Sequence, residues 1–124
     1  MVFGYKIFGN TVFYMYLAMK YDRFEYYKLI EQKVFENTNI TNEQKVNILI
    51  YSSRCAAILG KFEYLVNICS NPIYKFEQCY NDVMQCAMRS GSRKCANYVY
   101  EKCKNAIKKD KCDIENIILN IEML

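Results

Sequence analysis

Histidine and tryptophan are absent from this 124-residue sequence, proline occurs once and glycine four times. Each scarcity removes a class of protein. Without histidine the commonest general base and metal ligand is missing, and serine–histidine or cysteine–histidine nucleophile pairs cannot be assembled within the chain. With so little glycine and proline, a sandwich of many short strands lacks material for its turns. Apolar runs are short as well. Val12–Met19 is eight residues long, against roughly 20 needed to span a bilayer. Its flanks (Lys6, Asn10, Lys20, Asp22) supply neither a strong basic region nor a small-residue cleavage site. The run therefore reads as a buried helix of a soluble, intracellular protein without a membrane partner, and the cytoplasm is the expected location.

Hydrophobic residues make up 52% and charged residues 24% of the chain, the balance of a folded protein of one domain. Seven cysteines stand at 55, 69, 79, 86, 95, 103 and 112. Seven cannot all pair within one chain, and no two have the close spacing of a zinc knuckle. Each has apolar neighbours, so free, buried thiols in a reducing compartment are expected. A secreted disulfide protein is the rival, supported only by the glycosylation triplet Asn39-Ile40-Thr41. Carboxylates are scattered and no Gly-rich phosphate loop is present. No enzyme activity, metal or cofactor is expected.

Self-similarity is the strongest signal. The stretches Ala18–Ile30 (AMKYDRFEYYKLI), Ala56–Ile68 (AAILGKFEYLVNI) and Ala87–Val99 (AMRSGSRKCANYV) align without gaps. The first two share basic-Phe-Glu-Tyr, while the third keeps the alanine, a glycine and a closing apolar residue. Upstream of each alanine lies an apolar helical stretch: Thr11–Lys20, Glu43–Leu59 and Cys79–Ser90. In the second, Val46, Leu49, Ile50, Ser53 and Ala57 fall on one stripe. Thr41 with Gln44 forms a capping-box pattern. Turns follow at Tyr21-Asp22, Gly60 and Gly91, where glycine accepts positive φ at a helix C-terminus. Asp22 with Glu25 is a further capping-box candidate, and Ser92 can cap the third returning helix. The returning helices carry Phe24, Tyr27 and Ile30, matched by Phe62, Leu65 and Ile68.

The pattern predicts an all-α fold of stacked antiparallel helix pairs, a solenoid of about three units over 11–36, 43–70 and 79–107. Polar linkers separate them at Asn37–Asn42 and Asn71–Glu77. A further helix over 113–123, with Ile114, Ile117, Ile118 and Ile121 on one face, would cap the stack. The alternative is a single helical bundle, such as a viral cell-death regulator.

Ala56-Ala57-Ile58-Leu59-Gly60-Lys61-Phe62-Glu63-Tyr64-Leu65-Val66 resembles the first-helix end, Gly turn and second-helix start of an ankyrin repeat. The chain lacks the Thr-Pro-Leu-His opening and the Gly-rich hairpin tips, so the units implied are helix pairs without hairpins. Helix pairs of this kind, rich in Tyr, Asn, Lys, Ile and Cys, resemble those of large DNA viruses, in particular the multigene-family proteins of African swine fever virus. The resemblance implies a protein–protein interaction scaffold whose partner is a host protein, with effects on cell tropism or host defence.

Charge is uneven. Arg89, Arg93, Lys94, Lys102, Lys104, Lys108, Lys109 and Lys111 face only Glu101 and Asp110 over residues 89–111, a local +6 in a chain of net +4. On a helix over 92–107, Cys95, Val99, Cys103 and Ala106 share one side and the cations lie elsewhere. Arg89, Arg93, Lys94, Lys102 and Lys104 are therefore the candidate partner-binding face, for an acidic protein or, alternatively, for nucleic-acid phosphates. Twelve tyrosines suit half-buried packing positions, with two or three expected on a contact surface.

Overall fold

The computed structural model describes the backbone of residues 2–109 and 120–124, with side chains over 9–104 and 120–124. It is helical: α1 (Val2–Lys20), α2 (Phe24–Glu36), α3 (Asn42–Ile58), α4 (Phe62–Cys69), α5 (Phe76–Ser90) and α6 (Arg93–Lys109). Residues 120–122 are also helical, and no strand occurs among the described residues. None of the described helices is long and apolar enough to cross a membrane. The remainder of the expected capping helix, 113–119, lies outside the described residues. Its last apolar position, Ile121, is buried.

The three aligned stretches fold back in one way. Four residues after each alanine the backbone turns left-handed, with φ of 56° at Asp22, 67° at Gly60 and 76° at Gly91. Two residues later each returning helix begins, at Phe24, Phe62 and Arg93. The hydrogen bonds repeat too. Asp22 N–H donates to Met19 O and Arg23 N–H to Ala18 O; Gly60 N–H donates to Ala57 O and Lys61 N–H to Ala56 O. This crossed pair closes a helix end by satisfying two orphan carbonyls. The third copy keeps the Gly91 N–H to Met88 O bond, while Ser92 N–H turns to Ser90 Oγ. Ser92 then caps α6, its Oγ accepting from Cys95 N–H at 3.2 Å.

Asp22 departs from expectation. It does not cap α2; Arg23 precedes that helix and no side chain caps it. Asp22 instead fills the corner position that glycine fills in the other two units. A short polar side chain is among the few that tolerate left-handed backbone. The Thr41–Gln44 capping box forms as expected: Gln44 N–H donates to Thr41 Oγ1 and Thr41 N–H to Gln44 Oε1.

Both linkers open on an asparagine that bonds its own downstream backbone. Asn37 Oδ1 accepts from Asn39 N–H and Asn71 Oδ1 from Ile73 N–H, a local turn that competes with helix. The second linker is also pinned from inside. Tyr74 is buried; its hydroxyl donates to Ser53 Oγ at 2.8 Å, and Ser53 donates to Ile50 O at 2.7 Å.

Packing follows the unit order. Within each pair, α1 lies on α2, α3 on α4 and α5 on α6; between pairs, α1 packs on α3, α3 on α5 and α4 on α6. The corner alanines Ala18, Ala56 and Ala87 are all buried, where a longer side chain would hold the helices apart. Met15, Met19, Ile48, Leu49, Leu65, Ile68, Val83 and Val99 fill the space between them. Across α2 and α4, Tyr27 and Phe24 meet Tyr64 edge-on at 5.3 and 5.0 Å between ring centroids. Beside them the buried Glu31 carboxylate accepts from Lys28 Nζ and Asn67 Nδ2, and Lys28 also donates to Asn67 Oδ1. The α1 run Val12–Met19 is less buried than expected: Met15, Ala18 and Met19 are inside, whereas Phe13 and Tyr14 are more than half exposed.

Two predictions follow from this geometry. A Cβ at Gly60 would make only ordinary contacts, and one at Gly91 none. Gly60→Ala and Gly91→Ala should therefore each cost about 1–2 kcal/mol, from backbone conformation rather than clash, as read by urea unfolding. The Tyr27 hydroxyl is buried without a hydrogen-bond partner, the neighbouring Glu31 being taken up by Lys28 and Asn67. Tyr27→Phe should leave stability unchanged or raise it by about 1 kcal/mol; a loss larger than that would mean the hydroxyl is paired in solution.

Candidate interaction surface

Large exposed aromatic side chains gather on the first helix pair. Phe13, Tyr14, Tyr21 and Tyr26 are 54%, 52%, 65% and 56% exposed. Tyr14 on α1 and Tyr21 in the turn that follows it stand on the same side, and both line a depression together with Tyr26 of α2. Between the helices run two adjoining depressions of about 220 and 300 Å³, both lined by Tyr14 and Tyr26. Ile30 and Val34 extend the apolar floor along α2. The charged residues in the lining are Lys33 and Arg23, and Lys20 Nζ lies 5.7 Å from the centre of the Tyr21 ring. No carboxylate lines either depression.

The five cations of the expected basic face are not presented as one free patch. Arg93 donates to the Glu122 carbonyl. Lys94 Nζ sits 4.4 Å over the Phe62 ring and Lys102 Nζ 5.6 Å from the Tyr98 ring. Phe62 and Tyr98 themselves pack edge-on at 5.6 Å, so these two lysines cover the aromatic seam between α4 and α6. Lys104 pairs with Glu101 at 3.2 Å. Arg89 is exposed in the last turn of α5. The Lys94–Phe62 contact joins different units and was invisible in the sequence, whereas Lys102 and Tyr98 are one turn apart on α6.

Tyr51, a fourth tyrosine more than a third exposed, lies apart from the groove; its ring is 5.1 Å from the Arg54 guanidinium. The sequence predicted two or three exposed tyrosines without identifying them. A usable signal lay in the alignment itself, since Tyr14 takes the place of Ser52 and Val83 in the other units.

The buried interior carries thiols and phenols held neutral. Cys79, Cys95 and Cys103 are buried, Cys55, Cys69 and Cys86 partly so, and none of the six is in a disulfide; Cys112 lies outside the described residues. No group of three or more His, Cys, Asp or Glu side chains able to hold a metal occurs among the described residues. Burial pushes the Cys69 thiol up to about 12, against a partial lowering by its hydrogen bond with Tyr74. Burial likewise raises Cys55, Cys79, Cys86 and Cys95. A thiol so held is a weak nucleophile at neutral pH. Tyr64 is pushed up to about 12 by burial, with the Asp22 carboxylate adding to the shift, and Tyr74 is raised further by burial and by Cys69. These groups serve packing.

No family model, curated protein or solved structure matches the chain.

A pH dependence follows from the raised groups. Between the unfolded values, 9.0 for Cys69 and 10.0 for Tyr64, and folded values of about 12, the folded chain holds more protons than the unfolded one. Stability is then complete below about pH 9 and falls as pH rises toward 12. Urea midpoints should hold up to about pH 9 and decline as pH is raised from there toward about 12, and Cys69→Ala should flatten that decline.

Proposed function

We propose that this chain is a non-enzymatic protein-interaction module, an ankyrin-like stack of helix pairs that binds a partner through the aromatic groove of its first pair. The observation that carries the reading is the gathering of Tyr14, Tyr21 and Tyr26 around the depressions between α1 and α2, with Phe13 edge-on to Tyr14, each more than half exposed. Stable proteins seldom leave aromatic area in contact with water without a use for it, and tyrosine is enriched where binding energy concentrates. The succession of pair-on-pair contacts supports a rigid scaffold, which loses little conformational freedom on binding. On the resemblance to large-DNA-virus helix-pair proteins, the partner is a host defence or signalling protein. Occlusion of that protein's surface is the mechanism, and host range or host response is the outcome.

The basic segment ranks below the groove as a contact. Lys94, Lys102 and Lys104 already have intramolecular partners, and a phosphate would have to compete for them. Affinity purification from host cells separates the two surfaces. A Tyr14→Ala, Tyr26→Ala variant should lose the partners of the intact chain, and an Arg89→Glu, Lys102→Glu variant should keep them. The reverse pattern would move the contact to α6. Nucleic acid in the eluate, released by modest salt, would favour a phosphate-binding protein.

A further inference from the structure

The groove has a counterpart inside the molecule. Counting from the corner alanine of each unit, Thr11 and Tyr14 precede it by seven and four positions, and Tyr26 and Ile30 follow it by eight and twelve. The same positions are Leu49, Ser52, Tyr64 and Ile68 in the second unit, and Tyr80, Val83, Cys95 and Val99 in the third. All eight of those residues are buried. Two of them reach the preceding unit directly. Ser52 Oγ contacts Met15 Sδ at 3.5 Å, and the Tyr64 ring packs on Phe24 and Tyr27 with its hydroxyl 3.5 Å from Ala18 O. The groove therefore occupies the positions through which the second unit packs on the first, and which are buried in the third unit, whose helices pack on α3 and α4; in the first unit they are left open.

The opposite face is occupied at every unit. Position +6 from the alanine always meets what comes next: Phe24 meets Tyr64, Phe62 meets Tyr98, and Arg93 meets the Glu122 carbonyl. The 120–124 segment thus sits where a following unit would sit, with Ile121 buried. A second copy added head to tail would have to displace the 120–124 segment, whose Ile121 is buried and whose Glu122 carbonyl holds Arg93. A copy added about a two-fold axis would bring Arg23 and Lys33, with Lys20 beside them, against the same cations.

We infer that the groove docks an α-helical segment of another protein, apolar on one stripe and acidic on its flanks, seated as a preceding helix of the stack would be. Two observations carry this. The surface continues the register of an interface the molecule already uses twice for helices. Its charged lining is basic throughout, which selects acidic flanks by charge complementarity. Helices laid in an apolar groove are read through anchors at i, i+3, i+4 and i+7, and the stripe Thr11–Tyr14–Ala18–Tyr21 offers the matching spacing. The inference rests on the interaction reading above and specifies its partner.

The test uses the full chain, isotope-labelled, and a synthetic helical peptide of about 18 residues. The peptide carries leucine at stripe positions and glutamate on both flanks; a second peptide has lysine on the flanks. Amide shifts on adding the glutamate peptide should map to residues 11–21 and 26–37, and salt should weaken binding. The lysine peptide should leave the spectrum unchanged. Tyr14→Ala, Tyr26→Ala should weaken the glutamate peptide at least about tenfold with thermal stability retained, since both side chains are more than half exposed. Shifts elsewhere, equal binding of both peptides, or no binding would overturn the inference. So would concentration-dependent dimers abolished by the same two substitutions, because a second copy would then be the occupant. If the peptides fail while partner capture still depends on Tyr14 and Tyr26, the interaction reading stands and only the acidic helix falls. If capture is also indifferent to them, both fall.

Discussion

A left-handed residue four positions after a buried alanine is the constraint on which this molecule is built. One backbone inversion ends the incoming helix, directs its last carbonyls to the next two amides, and starts the returning helix two residues later. Because the geometry recurs at Asp22, Gly60 and Gly91, the helices of each pair meet in the same register. The alanine is part of the device. Its carbonyl accepts the crossing bond in the first two units, and its small methyl side chain lets helices come close enough for methionine, leucine and isoleucine to interlock between them. Were the corners to differ, the pairs could not offer one another repeating faces.

Repeating faces explain the distribution of aromatic residues better than hydrophobicity does. Tyr26 and Tyr64 stand in identical local sequence, within Phe-Glu-Tyr after a basic residue, yet one is 56% and the other 1% exposed. Burial is decided by whether another unit lies against that face, a non-local property. The same logic accounts for Lys94 and Lys102. By charge they belong to a solvated basic surface, but Lys94 finds the Phe62 ring of the preceding unit while Lys102 lies near Tyr98 one turn back on its own helix, an arrangement that is stabilising for a cation near a π-system.

The interior is chemically quiet for a related reason. A chain with many thiols and phenols between closely packed helices places them where water is excluded, and exclusion disfavours their ionised forms. Thiols and tyrosine hydroxyls then act as small weak donors that stitch loops to helices, as Tyr74 does with Ser53 and Cys79. The exposed aromatic side chains lie outside this interior, along the groove between α1 and α2.

Local features were legible in the residues alone: the Thr41–Gln44 box, the Ser92 cap, the glycine corners, the polar linkers opening on Asn37 and Asn71, and the all-helical character. Each depends on interactions within a few positions, where side-chain chemistry and backbone preference suffice. Asp22 was misassigned because aspartate favours both an N-cap and a left-handed corner, and only the arrangement of the helices distinguishes them. Helix starts at Val2 and Phe76 also escaped, since ends are set by packing as much as by capping. What the tertiary structure alone decided is which copies of a repeated residue face protein and which face water, and so that Lys94 lies over an aromatic ring of the preceding unit while Tyr14, Tyr21 and Tyr26 remain open. The reason is physical: exposure belongs to a position in an assembly of helices, and a sequence specifies the unit before it specifies what lies against it.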